Sequence, residues 1–153
     1  MKVIFLDIDG VLNDSNSNSN CNGIIGIDDK KVKLLSQIAY NTKSVLVLVS
    51  SWKIFWERQY KDDQREAGNY LDRKLKRQRL YILDKTTHYG SERGREISEF
   101  LQKHKVEKWI VLDDEIFEDY EKYDILPHLV KTDFYNGGLK ECHVEEAISL
   151  LSE

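Results

Sequence analysis

Two cysteines, one proline and one methionine are all that the 153 residues hold of these types. Cys21 and Cys142 lie far apart, without the short spacing of cysteine metal ligands, and one distant pair makes no disulfide framework. They read as free thiols in a reducing compartment, so a cytoplasmic location is expected. No apolar run approaches the roughly 20 residues of a membrane span, and no membrane partner is expected. Residues 1–4 run directly into a strand pattern, so no signal peptide is expected. Positive charge is not in excess either. Twenty-three Lys and Arg against 27 Asp and Glu give a net charge of -4 and no global attraction to nucleic acid or membrane. Internal repeats and domain linkers are missing as well, so residues 1–153 read as one domain.

What is present is the composition of a globular chain, 41% hydrophobic and 10% aromatic. Near-continuous apolar runs at 2–8, 44–49 and 108–112 have the character of strands buried on both faces of a parallel sheet. Shorter strands are expected at 80–83 and 128–132. Apolar residues recur at helical spacing over 28–41 (Val32, Leu35, Ile38, Ala39) and 92–104 (Ile97, Phe100, Leu101), and a closing helix is expected over 139–151. Strand, helix, strand in alternation predicts an α/β, Rossmann-like three-layer fold with a mainly parallel central sheet.

Between these elements lie three stretches of other character. Residues 14–20, Asp-Ser-Asn-Ser-Asn-Ser-Asn, read as a mobile, solvated loop. Residues 52–79 are charged and helical in propensity. There the spacing of Trp52, Phe55, Trp56, Tyr60 and Tyr70 turns most of them to the core. The basic run Arg73, Lys74, Lys76, Arg77, Arg79 reads first as a solvated helix face, with guidance of an anionic substrate as the alternative.

The chemistry concentrates where strands end. Leu6 leads to Asp7, Ile8, Asp9 and Gly10, Val49 leads to Ser50 and Ser51, and Leu112 leads to Asp113 and Asp114. Asp-Gly alone is a common turn. Three apolar runs that each deliver polar groups at their carboxyl ends, where open α/β sheets bind ligands, point instead to a site. In extended chain Asp7 and Asp9 share a face, and unpaired carboxylates that close call for a divalent cation, with Mg²⁺ suited to hard oxygen ligands.

Phosphoryl transfer fits this set. Metal held by Asp7 and Asp113 would neutralise phosphate charge, so that a carboxylate can attack phosphorus. Asp7 would be the nucleophile and form an aspartyl-phosphate. Asp9 would protonate the leaving oxygen and then activate water. Ser50 would donate to a phosphate oxygen, and Arg93 or Arg95 would counter its charge. Gly10, Ser51 and Arg95 complete the expected substrate contacts.

With these residues in place the chain resembles the haloacid dehalogenase (HAD) superfamily of phosphohydrolases. The first motif appears as Asp7-Ile8-Asp9-Gly10-Val11, the second as Ser50, the third as Arg93 or Arg95, and the fourth as Asp113-Asp114. The phrases Phe-Leu-Asp-Ile-Asp-Gly-Val-Leu-Asn, Ser-Ser-Trp-Lys, Arg93-Gly94-Arg95-Glu96-Ile97 and Leu-Asp-Asp are similar to one subgroup, the small HAD domain found alone or in multidomain RNA-repair proteins. That likeness covers nearly the whole chain. It favours Arg93 as the third-motif cation. It implies metal contacts from the Asp7 carboxylate, the Asp9 backbone carbonyl and the Asp113 carboxylate, with Asp114 supporting them. The family often has lysine at the third motif, and an arginine orients Asp7 differently. The gaps after the first and second motifs are too small for a full cap, so an open site is expected. Open sites admit large substrates such as nucleic-acid ends or phosphoproteins, and the expected partner is a phosphorylated small molecule or a nucleic-acid end. No obligate protein partner is evident.

Two other classes compete. A receiver-like phosphoacceptor module would place its acid at the end of the middle strand, where this chain has Ser50. A HAD-like binding module that partners RNA-processing proteins would have lost Asp7 or Asp9, and both are present. His88, His104, His128 and His143 lack zinc-type spacing. Cys142 is expected to pack within the last helix, and Tyr89 and Trp52 are candidates to stack on a base, with burial preferred for Trp52.

Overall fold

The computed structural model describes residues 1–17, 20–21, 24–59 and 61–152, with the backbone alone at 20–21. Five strands form one sheet: β1 (Lys2–Leu6), β4 (Ser44–Leu48), β5 (Ile82–Lys85), β6 (Lys108–Asp113) and β7 (Leu129–Lys131). Two two-residue strands, β2 (Asn20–Cys21) and β3 (Ile24–Ile25), make a separate antiparallel pair that no sequence signal announced. The main sheet has the order β5-β4-β1-β6-β7, and every pairing in it is parallel. The chain moves outward from β1 through β4 to β5, then returns to the other side of β1 for β6 and β7. The order therefore reverses between β1 and β6, where doubly wound sheets open a crevice at their carboxyl edge.

Alternation along the strands builds two cores. Ile4, Leu6, Leu46, Leu48, Ile110 and Leu112 face one side of the sheet, beneath α1 (Asp29–Thr42), α2 (Glu66–Lys76) and α4 (Glu141–Leu151). Val3, Phe5, Val47 and Val111 face the other, where Ile97 and Phe100 of α3 (Arg93–Lys103) join Tyr120 and Ile125. The register keeps Ile4 level with Leu46 and Ile110, so each face is continuous across three strands. This is the expected three-layer α/β architecture.

Boundaries moved where tertiary contacts intervened. The strand expected over 80–83 runs over Ile82–Lys85, because the backbone N–H groups of Gln78 and Leu80 both donate to the Leu75 carbonyl and finish α2 instead. Residues 52–79, expected to be helical, divide into a 3-10 turn at Ser51–Phe55, another at Lys61–Asp63, and α2. Gly68 is the reason α2 can lie against the first turn, since a Cβ there would stand 2.1 Å from the Phe55 carbonyl oxygen. Trp52 and Trp56 are buried as expected, and Phe55 and Tyr70 pack partly buried against the same core. Tyr60 lies outside the described residues. Cys142 is corrected: its thiol is free and exposed, because α4 turns Val144, Ala147 and Leu151 inward and residue 142 falls off that stripe. The side chain of Cys21 is not among the described ones.

The solvated reading of residues 14–20 also needs correction at its start, while 18 and 19 lie outside the described residues. Asp14 is buried, and its carboxylate meets Lys31 Nζ at 2.8 Å. It also accepts from the Asn16 backbone N–H at 2.7 Å. Lys31, itself buried on α1, reaches Asp28 at 3.0 Å as well. This loop is thereby tied to the first helix.

The pair predicts a pH dependence. Burial alone would raise the Asp14 carboxyl, but Lys31, Asn16 and Ser17 outweigh it and hold it below its ordinary value. A depressed carboxyl contributes stability that is present above its unfolded value, about pH 4, and lost as pH falls through its folded value. Lys31 is raised, its two acids overcoming the effect of burial, so its share is present below about pH 10 and lost above its folded value. Lys31→Met is expected to be less stable than wild type in urea unfolding at neutral pH, with the gap closing below about pH 4. A gap unchanged in acid would show that the ion pair contributes nothing.

Candidate active site

Asp7 follows β1 directly, and its N–H still donates to the Leu112 carbonyl at 3.0 Å, so it stands beside the end of β6. That bond places it opposite Asp113. One carboxylate oxygen each from Asp7, Asp113 and Asp114 lies within 4.8 Å of the others, with Asp7 and Asp113 buried. The strand stops at Leu6, two residues short of expectation, and residues 9–12 form a turn in which Val11 and Leu12 N–H both return to the Ile8 carbonyl. Asp9 is therefore exposed on that turn rather than paired with Asp7 along a strand. Its carboxylate accepts from Asn13 Nδ2 at 2.9 Å and from the Trp52 indole N–H at 3.2 Å.

Gly10 sits at φ +83°, and a Cβ on it would fall 2.2 Å from Asp114 Oδ2. Glycine is needed here both for the turn and to admit the fourth-motif acid. The Asn13 side chain accepts from Gly10 N–H at 2.9 Å, and Thr132 donates to the Gly10 carbonyl at 2.6 Å. Every part of this turn is held.

The cation among the acids is Arg93. Its guanidinium lies 3.0 Å from Asp113 Oδ2 and 3.4 Å from Asp7 Oδ1, and it rests over the Phe117 ring at 4.2 Å. Its Nε–H is buried without a partner among the described residues. Arg95 takes no part: it is exposed, pairs with Glu92 at 3.4 Å and stacks on Tyr89 at 3.9 Å. That stacking occupies the Tyr89 face proposed for a base. Ser50 is buried at the end of β4, where its Oγ accepts from Trp52 N–H at 3.2 Å, and Ser51 next to it is exposed. His88 lies 3.9 Å from Glu96 on an exposed loop.

Several supporting residues carry no sequence signature. Tyr120, fully buried, donates to Asp113 Oδ2 at 2.9 Å. Asp119 accepts from the N–H groups of Gly94 and Arg95, both at 2.9 Å, and so fixes the first turn of α3. Lys53, buried behind Ser50, meets Glu96 Oε1 at 2.5 Å and Thr86 Oγ1 at 3.1 Å. Glu96 follows Arg93 by nearly one helical turn. The phrase Ser-Ser-Trp-Lys held the only available signal for Trp52 and Lys53, while Tyr120 and Asp119 sit in loop sequence without any pattern.

The electrostatics follow from this packing. Burial, then Asp113, raise the Asp7 carboxyl well above its ordinary range, with Arg93 opposing. Burial and Asp113 push Asp114 up to about 6. Burial also lowers the Lys53 ammonium, and Glu96 recovers part of the loss. Three carboxylates against one guanidinium leave two negative charges uncompensated if all ionise. At an effective dielectric near 20, two unit charges at this separation repel by about 3.5 kcal/mol. A hard divalent cation with oxygen ligands would supply the missing charge, and Asp7, Asp113 and Asp114 are the residues that could hold it.

Removing the guanidinium tests this balance. Arg93→Ala leaves the Asp7 and Asp113 carboxylates buried together, and a loss of about 3–5 kcal/mol at neutral pH is expected. Because the Asp7 carboxyl, already raised, then takes up a proton still more readily folded than unfolded, the loss shrinks as pH falls. Mg²⁺ recovers part of it in thermal melts. Unchanged stability with no response to Mg²⁺ would contradict this charge balance.

Residues 3–144 match the family described as the HAD domain in Swiss Army Knife RNA repair proteins. No curated protein and no solved structure matches the chain. Among the described residues, no helix is long and apolar enough to cross a membrane. With its acids gathered at the switch point of a parallel sheet, the chain belongs to the HAD domain family of Swiss Army Knife RNA repair proteins.

Proposed function

We propose that this HAD-type phosphohydrolase domain is a Mg²⁺-dependent phosphatase acting on phosphate monoesters through Asp7. The observation that carries the proposal is the convergence of the Asp7, Asp113 and Asp114 carboxylates with Arg93 lying between Asp7 and Asp113. Asp7, Asp113 and Asp114, with the Asp9 backbone carbonyl, would hold the ion. Bound there, Mg²⁺ neutralises phosphate charge and orients its oxygens.

An Asp7 carboxylate oxygen attacks phosphorus, and the bond from phosphorus to the ester oxygen breaks. Asp9 gives its proton to the departing oxygen. Asp9 then takes a proton from water, whose oxygen attacks the aspartyl-phosphate and releases inorganic phosphate with Asp7 regenerated. Asn13 and Trp52 each hold one oxygen of the Asp9 carboxylate, which aims it without burying it. The Ser50 hydroxyl and the Arg93 Nε–H, which has no partner among the described residues, are donors for the phosphoryl oxygens.

The substrate we propose is a nucleotide or a nucleic-acid terminal phosphate. Support comes from the family and from the openness of the site. Between β4 and β5 the one long helix among the described residues, α2, buries Leu71 and Leu75 in the main core and so is a layer of the fold rather than a lid.

The test is hydrolysis of an aryl phosphate with and without Mg²⁺, followed by nucleotides and 5′- and 3′-phosphorylated oligonucleotides. Asp7→Asn is expected to abolish release. Asp9→Asn should lower kcat by about 100-fold or more while leaving the melting temperature near that of wild type. Full turnover by Asp9→Asn would remove the acid and base role, and metal-independent release retained by Asp7→Asn would overturn the mechanism.

A further inference from the structure

Away from the acids, the basic stretch of α2 divides into two sets. Arg73 pairs with Glu66 at 3.0 Å, and Lys74 and Arg77 pair with Asp29 at 2.7 and 3.0 Å. These three cations are held by acids of the protein itself. Lys76 and Arg79 are not. Both are exposed, neither has an acidic partner among the described residues, and both line a cleft of about 740 Å³ beside the outer strand β5. A second cavity of about 230 Å³ shares Arg79, Leu80 and Tyr81 with the first and continues past Lys43 and Tyr40. Lys43 is likewise exposed and without an ion pair among the described residues.

The groove combines two kinds of group. Its open cations are Lys43, Lys76 and Arg79. Arg58 and Lys61 add charge at the far end, though each already leans on an acid, Asp84 at 3.4 Å and Asp72 at 3.2 Å. Among the described residues, Asp72 is the one acid in the lining of either cavity. The aromatic groups are Tyr40 and Tyr81, 57% and 67% exposed. Tyr40 is held in place by its hydroxyl, which donates to the Arg79 carbonyl at 2.5 Å. Arg79 itself sits at φ +57°, a conformation costly for a residue with a side chain. In a chain of net charge -4, these exposed cations along one groove are a local basic surface open to an anion from outside the protein.

We propose that this groove binds single-stranded nucleic acid, with phosphates on Lys43, Lys76 and Arg79 and bases stacked on Tyr40 and Tyr81. Cations that track a backbone beside exposed aromatic faces are the chemistry by which single strands are held without sequence readout. A lone phosphate would use one cation and neither ring. An acidic peptide would use the cations and leave the tyrosines idle. Asp7, Asp9, Asp113 and Asp114 line neither cavity, and the smaller one reaches the amino end of β4 at Ser44, so the groove is separate from the phosphoryl site. The inference rests on none of the roles given to Asp7 or Asp9.

The experiment is fluorescence anisotropy with an end-labelled single-stranded RNA of about 15 nucleotides carrying no terminal phosphate, a length that covers one groove site. Wild type and Asp7→Asn are expected to bind equally. Lys76→Glu/Arg79→Glu should bind at least about tenfold more weakly at low salt. Its slope of log affinity against log salt should be shallower by about 1.4, or about 0.7 for each phosphate left without its cation. Tyr81→Ala should weaken binding about tenfold with the salt slope unchanged. Circular dichroism melts verify that each variant is folded, and the charge variant should keep wild-type turnover of an aryl phosphate. Equal competition by polyglutamate, or Tyr81→Ala binding like wild type, would overturn the proposal in favour of a generic polyanion surface. Equal affinity for duplex RNA, or no binding by wild type, would also overturn it. Absence of phosphatase activity together with groove-dependent binding would refute the proposed function and leave this inference standing.

Discussion

The site depends on one charge arrangement: the Arg93 guanidinium set between two buried carboxylates at the ends of adjacent parallel strands. β1 and β6 are neighbours only because the strand order reverses between them, so the topology itself brings Asp7 to Asp113. Like charges at this separation in a buried position are unfavourable without a cation, and the nearby loop secures one. Asp119 fixes the first turn of α3, Phe117 lies beneath the guanidinium, and Tyr120 takes up Asp113 from the side. All three come from the segment directly after the fourth-motif acids. The chain that supplies the negative charge thus also positions the positive one.

This explains why glycine follows Arg93. A Cβ on Gly94 would fall 2.8 Å from Asp119 Oδ1, so the capping carboxylate can reach the α3 N–H groups only where a side chain is missing. The Arg-Gly phrase is a packing constraint as well as a motif. Arginine rather than lysine follows from the same geometry. Nη1 reaches both acids while the flat guanidinium face lies on the Phe117 ring, a stacking that a tetrahedral ammonium on a flexible stem makes less well.

Much of the fold was legible because period-2 alternation and helical stripes are local signals. Val3 and Ile4 already belong to different cores, and Val32, Leu35, Ile38 and Ala39 face the sheet as their spacing requires. What was not legible depended on partners distant in sequence. Spacing left Arg93 and Arg95 open because both fall in one helical turn; two positions on a helix point nearly opposite ways, and only the fold decides which is inward. Asp9 left the strand because the turn after Ile8 closes on itself. Asp14 sits in low-complexity sequence yet is buried, since a lysine on the next helix meets it. Trp52 was expected to be buried and is, but its indole N–H also reaches Asp9, a contact across 43 residues that composition does not announce.

The same indole joins the motifs to one another. Trp52 stands two residues after Ser50 and donates its backbone N–H to the Ser50 hydroxyl, while its ring packs near Tyr70 of α2, whose own hydroxyl accepts from Ile27 N–H. The turn after β1, the turn after β4, α2 and the chain entering α1 are therefore joined through one aromatic side chain. Asn13 completes the connection, donating to the other oxygen of Asp9 and to the Ile25 carbonyl. An exposed carboxylate on a turn would ordinarily sample several rotamers, at a cost in entropy when one is required. Here both of its oxygens are held by groups that are themselves packed, so orientation is set by the fold before any substrate arrives. Preorganisation of this kind suits a group that acts in one direction, as the role proposed for Asp9 requires.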